Sequence, residues 1–306
     1  MNEIELYNSG IGINNKVIPH RLPFGENGVS SLESASNFIL DKTGELATYK
    51  SGTSVFSGDC HSGWETDDGF YFINDGDTSS SLMKATVKAD ATIDTVTIRA
   101  GLTLGAKCYY ADLDGKTYYA NGYVRGVIDV STTSDWIVNT WDATRTTADM
   151  VQMPIGTHLG ILSGRMLCAV DDEVFFSEYG LLNLVDNARN RVRFESKVKM
   201  VCPVQTGVFV SDEDAIYFLA GRNPKEWTMN KVLNYPATGC AQHLVDPSFF
   251  GFETTKLSGL LATVEGQVVG MPDGSCFNLV NKNIKLPTNC GNGAINVVDE
   301  TTILQS

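Results

Sequence analysis

Apolar and polar positions along this chain alternate in short runs and break at turn residues. Residues 108–122, CYYADLDGKTYYANG, hold two tyrosine-rich runs separated by Asp114-Gly115 and closed by Asn121-Gly122. Aromatic side chains suit the pleated surface of a strand. Asp-Gly and Asn-Gly supply the positive φ that a tight hairpin turn needs. The stretch therefore predicts strand, turn, strand, turn, with YVRGVIDV as a third strand.

The same design recurs along the chain. NFILD-KTG-ELATYKSG turns near Gly44 and HSGWE-TDDG-FYFIND near Gly69. GRMLCAV-DD-EVFFSEYG turns at Asp171-Asp172, GVFVSD-ED-AIYFLAG near Asp214, and SGLLATV-EG-QVVGMPDG near Gly266. With the Gly115 unit these make six hairpins. Their spacing is uneven and averages about 44 residues, close to the blade period of known propellers. A blade is a four-stranded antiparallel sheet, and radial repetition of blades protects the strand edges.

The expected fold is all-β: residues 1–306 form a single six-bladed β-propeller-like domain of repeated antiparallel hairpins, closed by N- and C-terminal strands. The first blade is expected at about 37–56, completed by strands at about 293–304, where AINVV and TTILQ are strand-like. A β-sandwich, or two smaller β-domains, is the alternative for the same pattern. Residues 84–100, KATVKADATIDTVTIRA, alternate and read as further strand. Helical periodicity is nowhere sustained. LLNLVDNARNRVRF (181–194) and RLPFGENGVSSLESASNF near the N-terminus are each expected to hold one helical turn at most.

Composition narrows the class. Hydrophobic residues make up 42% and charged residues 19%, which excludes a chain too polar to bury a core. The net charge of −13 repels phosphate, so a grip on nucleic acid is not expected, although a conduit past which DNA slides would tolerate it. No apolar run nears the ~20 residues that span a bilayer. MNEIELYNSG has neither the basic head nor the apolar centre of a secretion signal, so synthesis in a cytoplasm is expected. The seven cysteines are Cys60, Cys108, Cys168, Cys202, Cys240, Cys276 and Cys290. Their odd number and the lack of CxxC spacing favour buried thiols over disulfides or zinc.

Candidate chemistry is sparse. Asp67-Asp68, Asp171-Asp172 and Asp212-Glu213-Asp214 sit where turns need Asp, and the same placement recurs from unit to unit. That reading is preferred over the carboxylate pair, about 5–9 Å apart, of a glycosidase. The Ser-x-Asp-x-Gly-x-x-Trp boxes of sialidase-type propellers are absent, and Arg21, Arg125, Arg165 and Arg222 are scattered. His20, His61, His158 and His243 form no HxH or HExxH spacing, and His61 reads as strand-end packing. Asp112-x-Asp114-Gly115 and Asn74-Asp75-Gly76-Asp77 echo calcium loops without the closing glutamate. GLTLGAKC (101–108) lacks the Gly-Lys-Ser/Thr ending of a phosphate loop, and there is no GxSxG. Trp64, Trp136, Trp141 and Trp227 are expected to fill blade cores rather than to form a sugar platform. No catalytic, cofactor-binding or metal-binding residue is assigned, and the chain is expected not to be an enzyme.

The order of the segments resembles a family of bacteriophage virion proteins. It begins with RLPFGENGVSSLESASNFILDKTGELATYKSG, with Asn37, Asp41, Gly44 and Gly52, then CHSGWETDDGFYFINDG and CYYADLDGKTYYANGYVRGVI. GILSGRMLCAVDDEVFFSEYGLLNLVD, VFVSDEDAIYFLAGRNPKEWTM and VVGMPDGSCFNLVNKN follow in the same order. The similarity runs over nearly the whole chain. It departs at Gly44, which is followed by ELATYKSG rather than a strongly basic run. It departs again near 140–156, where larger relatives carry an inserted β-domain.

The resemblance implies a non-enzymatic structural component of a bacteriophage particle, a tail hub, nozzle or adaptor subunit. Such a protein is made in the host cytoplasm and resides in the virion tail. It forms a homo-oligomeric ring with other tail proteins and supports DNA passage or fibre attachment. No cofactor, sequence-specific nucleic acid or membrane is implied. The rival is a carbohydrate-binding or carbohydrate-active propeller used in host attachment, which needs an axial pocket with clustered acids and an exposed Trp or Tyr.

Overall fold

The computed structural model describes residues 56–279, apart from 91, 130–131, 137–149 and 255. It also describes three strand pairs, Phe24–Gly25 with Gly28–Val29, Phe38–Leu40 with Leu46–Thr48, and Ala294–Val298 with Thr301–Gln305. Of the side chains in the stretch 239–243, and of Phe249, nothing is described.

Five four-stranded antiparallel sheets follow one another along the chain. Sheet one comprises Asp59–Thr66, Gly69–Asp75, Ser80–Val87 and Ile93–Leu102. Sheet two comprises Tyr109–Leu113, Lys116–Ala120, Arg125–Asp129 and Thr132–Ser134. Sheet three comprises Leu159–Leu162, Arg165–Val170, Glu173–Phe176 and Arg191–Arg193. Sheet four comprises Met200–Val204, Gly207–Ser211, Ile216–Ala220 and Thr228–Leu233. Sheet five comprises Ala237–Val245, Ser258–Thr263, Gly266–Gly270 and Cys276–Asn278. Strand order equals chain order throughout, except that Leu184–Asp186 leaves sheet three to pair with Met150–Gln152.

The sheets stack face to face, and one core fills each gap. Tyr71, Ile73 and Leu82 of sheet one meet Tyr110, Tyr119 and Ile128 of sheet two. Ala111 and Ala120 of sheet two meet Met166, Cys168 and Phe175 of sheet three. Leu167, Ala169 and Phe176 of sheet three meet Val208, Val210 and Leu219 of sheet four. Phe209 and Phe218 of sheet four meet Leu261 and Val268 of sheet five. Successive residues of a strand point to opposite faces. Residues 166–169 therefore feed two cores in alternation, which explains why MLCA is apolar without a break.

The first strands of successive sheets lie side by side. That of sheet three neighbours those of sheets two and four, and that of sheet four neighbours that of sheet five. Ala294–Val298 lies beside the first two strands of sheet five. The first strands run in one direction, since their opening residues touch (Tyr109 and His158) and their closing residues share one cavity (Leu162 and Val204). The end where they begin is called proximal, and the other distal. Their approach is close: a Cβ on Gly160 would stand 2.5 Å from Pro203 Cγ. Pro203 fits because a first strand is an edge strand and has no inner neighbour for an N–H to serve. This is a propeller-like arrangement with five complete sheets.

One expectation is corrected. The six hairpins do not occupy equivalent positions. The turns near Gly69 and Gly115 join first to second strands, whereas those at Asp171, Asp214 and Gly266 join second to third strands. The uneven spacing follows from this. The segment 181–194, expected to hold one helical turn at most, holds none and instead contributes the strands Leu184–Asp186 and Arg191–Arg193. Helical structure among the described residues is confined to two 3-10 turns, Pro224–Glu226 and Pro247–Phe250, capped by Asn223 and Asp246. No described helix is long and apolar enough to cross a membrane.

Candidate functional site

The acidic turns do not converge. First-to-second turns lie at the distal end and second-to-third turns at the proximal end, because the first strands run together. Asp67, Asp68 and Asp114 are therefore distal, and Asp171, Asp172, Glu213 and Asp214 proximal. Each has local work where a bond is seen. Asp114, with φ of 52°, and Gly115, with 72°, close a tight turn. Asp172 accepts a bond from Arg193 Nε at 2.7 Å. Asp212 is buried, and its Oδ1 accepts from the N–H of Asp214 and of Ala215, both at 2.9 Å.

Among the described residues, a cavity of about 620 Å³ lies where the first strands end, on the distal side. The closing residues of three first strands wall it: Ile161 and Leu162, Pro203 and Val204, and Leu244. Lys256 and Leu257 reach it from the long connection that follows the first strand of sheet five, and Arg222 from the third-to-fourth turn of sheet four. Leu244 is 44% and Leu257 51% exposed, which leaves an apolar floor open to solvent. Arg222 Nε donates to the Gln205 carbonyl at 3.0 Å. Among the described residues neither Arg222 nor Lys256 pairs with a carboxylate. The cations beside it are neutralised: Glu178 takes Lys225 Nζ at 3.0 Å and Arg165 Nη1 at 3.5 Å, and accepts from Asn190 Nδ2 at 2.7 Å. Burial pushes the Glu178 carboxyl up, but the Asn190 amide and the two cations outweigh it and hold it below the usual range.

At the proximal end His158 lies 4.1 Å from the Tyr109 ring, with Nδ1 3.1 Å from Thr157 Oγ1. Burial first, then the charges of Lys199 and Lys197, lower its pKa to about 3. It is a neutral core residue at ordinary pH. His61 joins sheets one and two: its Nδ1 is 2.7 Å from Ser62 Oγ, which accepts the Cys108 N–H at 3.0 Å. His61 Nε2 stands 3.3 Å from Asp75 Oδ1 without the alignment of a hydrogen bond. Asp75 also accepts from Ser80 Oγ at 2.5 Å and from the Gly105 N–H at 3.4 Å. The Ser80 bond leads in holding its carboxyl low, with burial opposing. Asn74-Asp75 and the GLTLGAKC loop thus meet as a strand-end tie. Asp112 is similarly engaged, accepting from Trp64 Nε1 at 2.8 Å and Thr117 Oγ1 at 2.6 Å.

Trp136 is buried between sheets two and three, while Trp64 and Trp227 are only partly covered. Trp141, His20, Arg21, Cys290 and the segment near Gly44 and Gly52 lie outside the described residues, as do the side chains of His243 and Cys240. Cys108, Cys168 and Cys202 are buried, and burial raises each thiol to about 12, Cys276 likewise. Cys60 is exposed. No group of three or more potential ligands is arranged for a metal ion among the described residues. The cations of the distal cavity carried no motif, because Arg222 and Lys256 come from different sheets.

No protein-family model and no curated protein matches the chain. Solved structures with a similar course exist. The extracellular domain of a hybrid two-component system from B. thetaiotaomicron has a TM-score of 0.48 at 11% identity, over 79% of this chain and 31% of that one. A protein from Lactobacillus plantarum has a TM-score of 0.47 at 14% identity, over 80% and 78%. The Neurospora crassa Pan2 WD40 domain has a TM-score of 0.44 at 11% identity, over 77% and 67%.

Proposed function

We propose that the chain is a six-bladed propeller that acts as a non-enzymatic structural subunit of a bacteriophage tail, docking neighbouring proteins at its distal face. The observation that carries the docking role is the make-up of the distal cavity: exposed leucines flanked by two cations that no described carboxylate neutralises. Such a surface suits an acidic, apolar protein segment better than a sugar undergoing acid–base hydrolysis, which needs paired carboxylates. The assignment to a phage tail rests on the order of segments along the chain. The sixth blade is composite in this reading. Ala294–Val298, which lies beside the first two strands of sheet five, would provide its first strand, and the hairpin of Phe38–Leu40 and Leu46–Thr48 would complete it.

The test is peptide mass spectrometry of purified virus particles from the source of the gene, with counts scaled to the portal protein. Stoichiometric presence at a ring-like copy number is expected. Absence from particles would sink the tail assignment while leaving the propeller intact.

A further inference from the structure

A second cavity, of about 360 Å³, opens at the rim between sheets one and two, near the proximal end. Arg99, Tyr123, Arg125, Thr133, Ser134 and Asp135 wall it. Arg125 is nearly buried and has an anionic partner. Its Nε meets Asp135 Oδ1 at 3.0 Å, its Nη1 donates to the Met153 carbonyl, and its guanidinium lies 5.7 Å from the centre of the Trp136 ring. Arg99 differs. Its Nη1 bonds only neutral oxygens, Tyr119 Oη at 2.9 Å and the Arg125 carbonyl at 3.3 Å. No described carboxylate pairs with it. The cavity thus sets two guanidiniums against one carboxylate on a chain whose net charge is −13.

We propose that this cavity binds a carboxylate-bearing sugar, a uronic acid unit. The remaining N–H groups of Arg99 offer the planar fork that matches a carboxylate. Asp135 stays 46% exposed with one oxygen beyond its Arg125 bond, so it can accept from a hydroxyl of the same ligand. A phosphate dianion would bring up to twice the like charge against that carboxylate and fewer neutral hydroxyls for it to accept from. A monoanion bearing hydroxyls satisfies the cation and the acceptor together. Tyr123, 64% exposed on the turn that Asn121 Oδ1 caps, offers a ring face to the apolar side of a sugar. The volume lies in the range of small-molecule sites, about 300–1,000 Å³. A purely structural role for Arg99, as a post between sheets one and two, accounts for its two bonds and leaves the cavity and the other donors unused. The proposal does not depend on the tail assignment.

The experiment is an NMR titration of the full chain with sodium glucuronate, glucose and inorganic phosphate, each in turn. Saturable glucuronate binding with a Kd on the order of 1 mM is expected, with glucose and phosphate at least ~10-fold weaker. Arg99→Gln should weaken glucuronate by at least ~10-fold, as loss of a charge-assisted bidentate contact would. Tyr123→Ala, at an exposed turn position that leaves the fold untouched, should weaken it about threefold or more. No saturable glucuronate binding, glucose bound as tightly as glucuronate, or phosphate bound as tightly would each overturn the proposal. So would full-strength binding in both variants.

Discussion

His158 reports on the proximal core through its proton. Its folded pKa of about 3 lies below the ordinary value near 6.5, so the unfolded chain binds the extra proton more readily. The stabilising contribution is complete above pH ~6.5 and is lost as pH falls toward the folded value. The slope over that window is about 1.4 kcal/mol per pH unit. Denaturant unfolding at a series of pH values should show this slope in the parent chain and lose it in His158→Gln. Asp212 offers a second contrast. Asp212→Ala strips the acceptor from two turn N–H groups and should cost about 1–3 kcal/mol. Asp212→Asn keeps a carbonyl oxygen for the same bonds and should cost much less. Equal losses in the two variants would mean that the charge, and not the turn, is what the site needs.

At the level of strands, two glycines fail for different reasons when replaced. Gly115 has open space around its Cα but a φ of 72°, so Gly115→Val should cost about 1–2 kcal/mol through backbone strain alone. Gly160 has no such φ but faces Pro203, so Gly160→Val should cost more, by forcing the first strands of sheets three and four apart. Thermal unfolding of both variants ranks the two effects. Much of this element structure was legible. Asp114-Gly115 and Asp171-Asp172 declared their turns, and MLCAV and GVFVS their strands. The fourth strands Thr132–Ser134 and Arg191–Arg193 were not legible, because an outer edge strand is short and mostly polar, and a single inward residue such as Val192 writes no pattern. The position of a hairpin within its sheet was hidden for a related reason. A first-to-second turn and a second-to-third turn obey the same chemistry. The cavities were illegible too: Arg99 and Tyr123 meet across two sheets, and Arg222 and Lys256 do the same.

Across the whole molecule, the testable point is the seam. If the two terminal hairpins share the sixth blade, removing residues 292–306 uncovers the face of sheet five that carries Val245, Leu260 and Val269. The truncated chain should then bind a hydrophobic dye and lose amide protection in sheets five and one, while sheets three and four keep theirs. Unchanged protection in sheet one would separate the C-terminal hairpin from any closure of the ring.

Among the described residues, the four cores between the five sheets are separate, each built chiefly from two neighbouring sheets. A chain built so has no single centre to defend, and its cohesion is a series of joints. Under load this has a mechanical consequence. Stretched by its ends, the molecule should come undone sheet by sheet, giving a staircase of extensions instead of a single rupture. Sheet four, spanning Met200–Leu233, would release a contour on the order of 110 Å at about 3.3 Å per residue. Its partners on either side would still stand folded when it does.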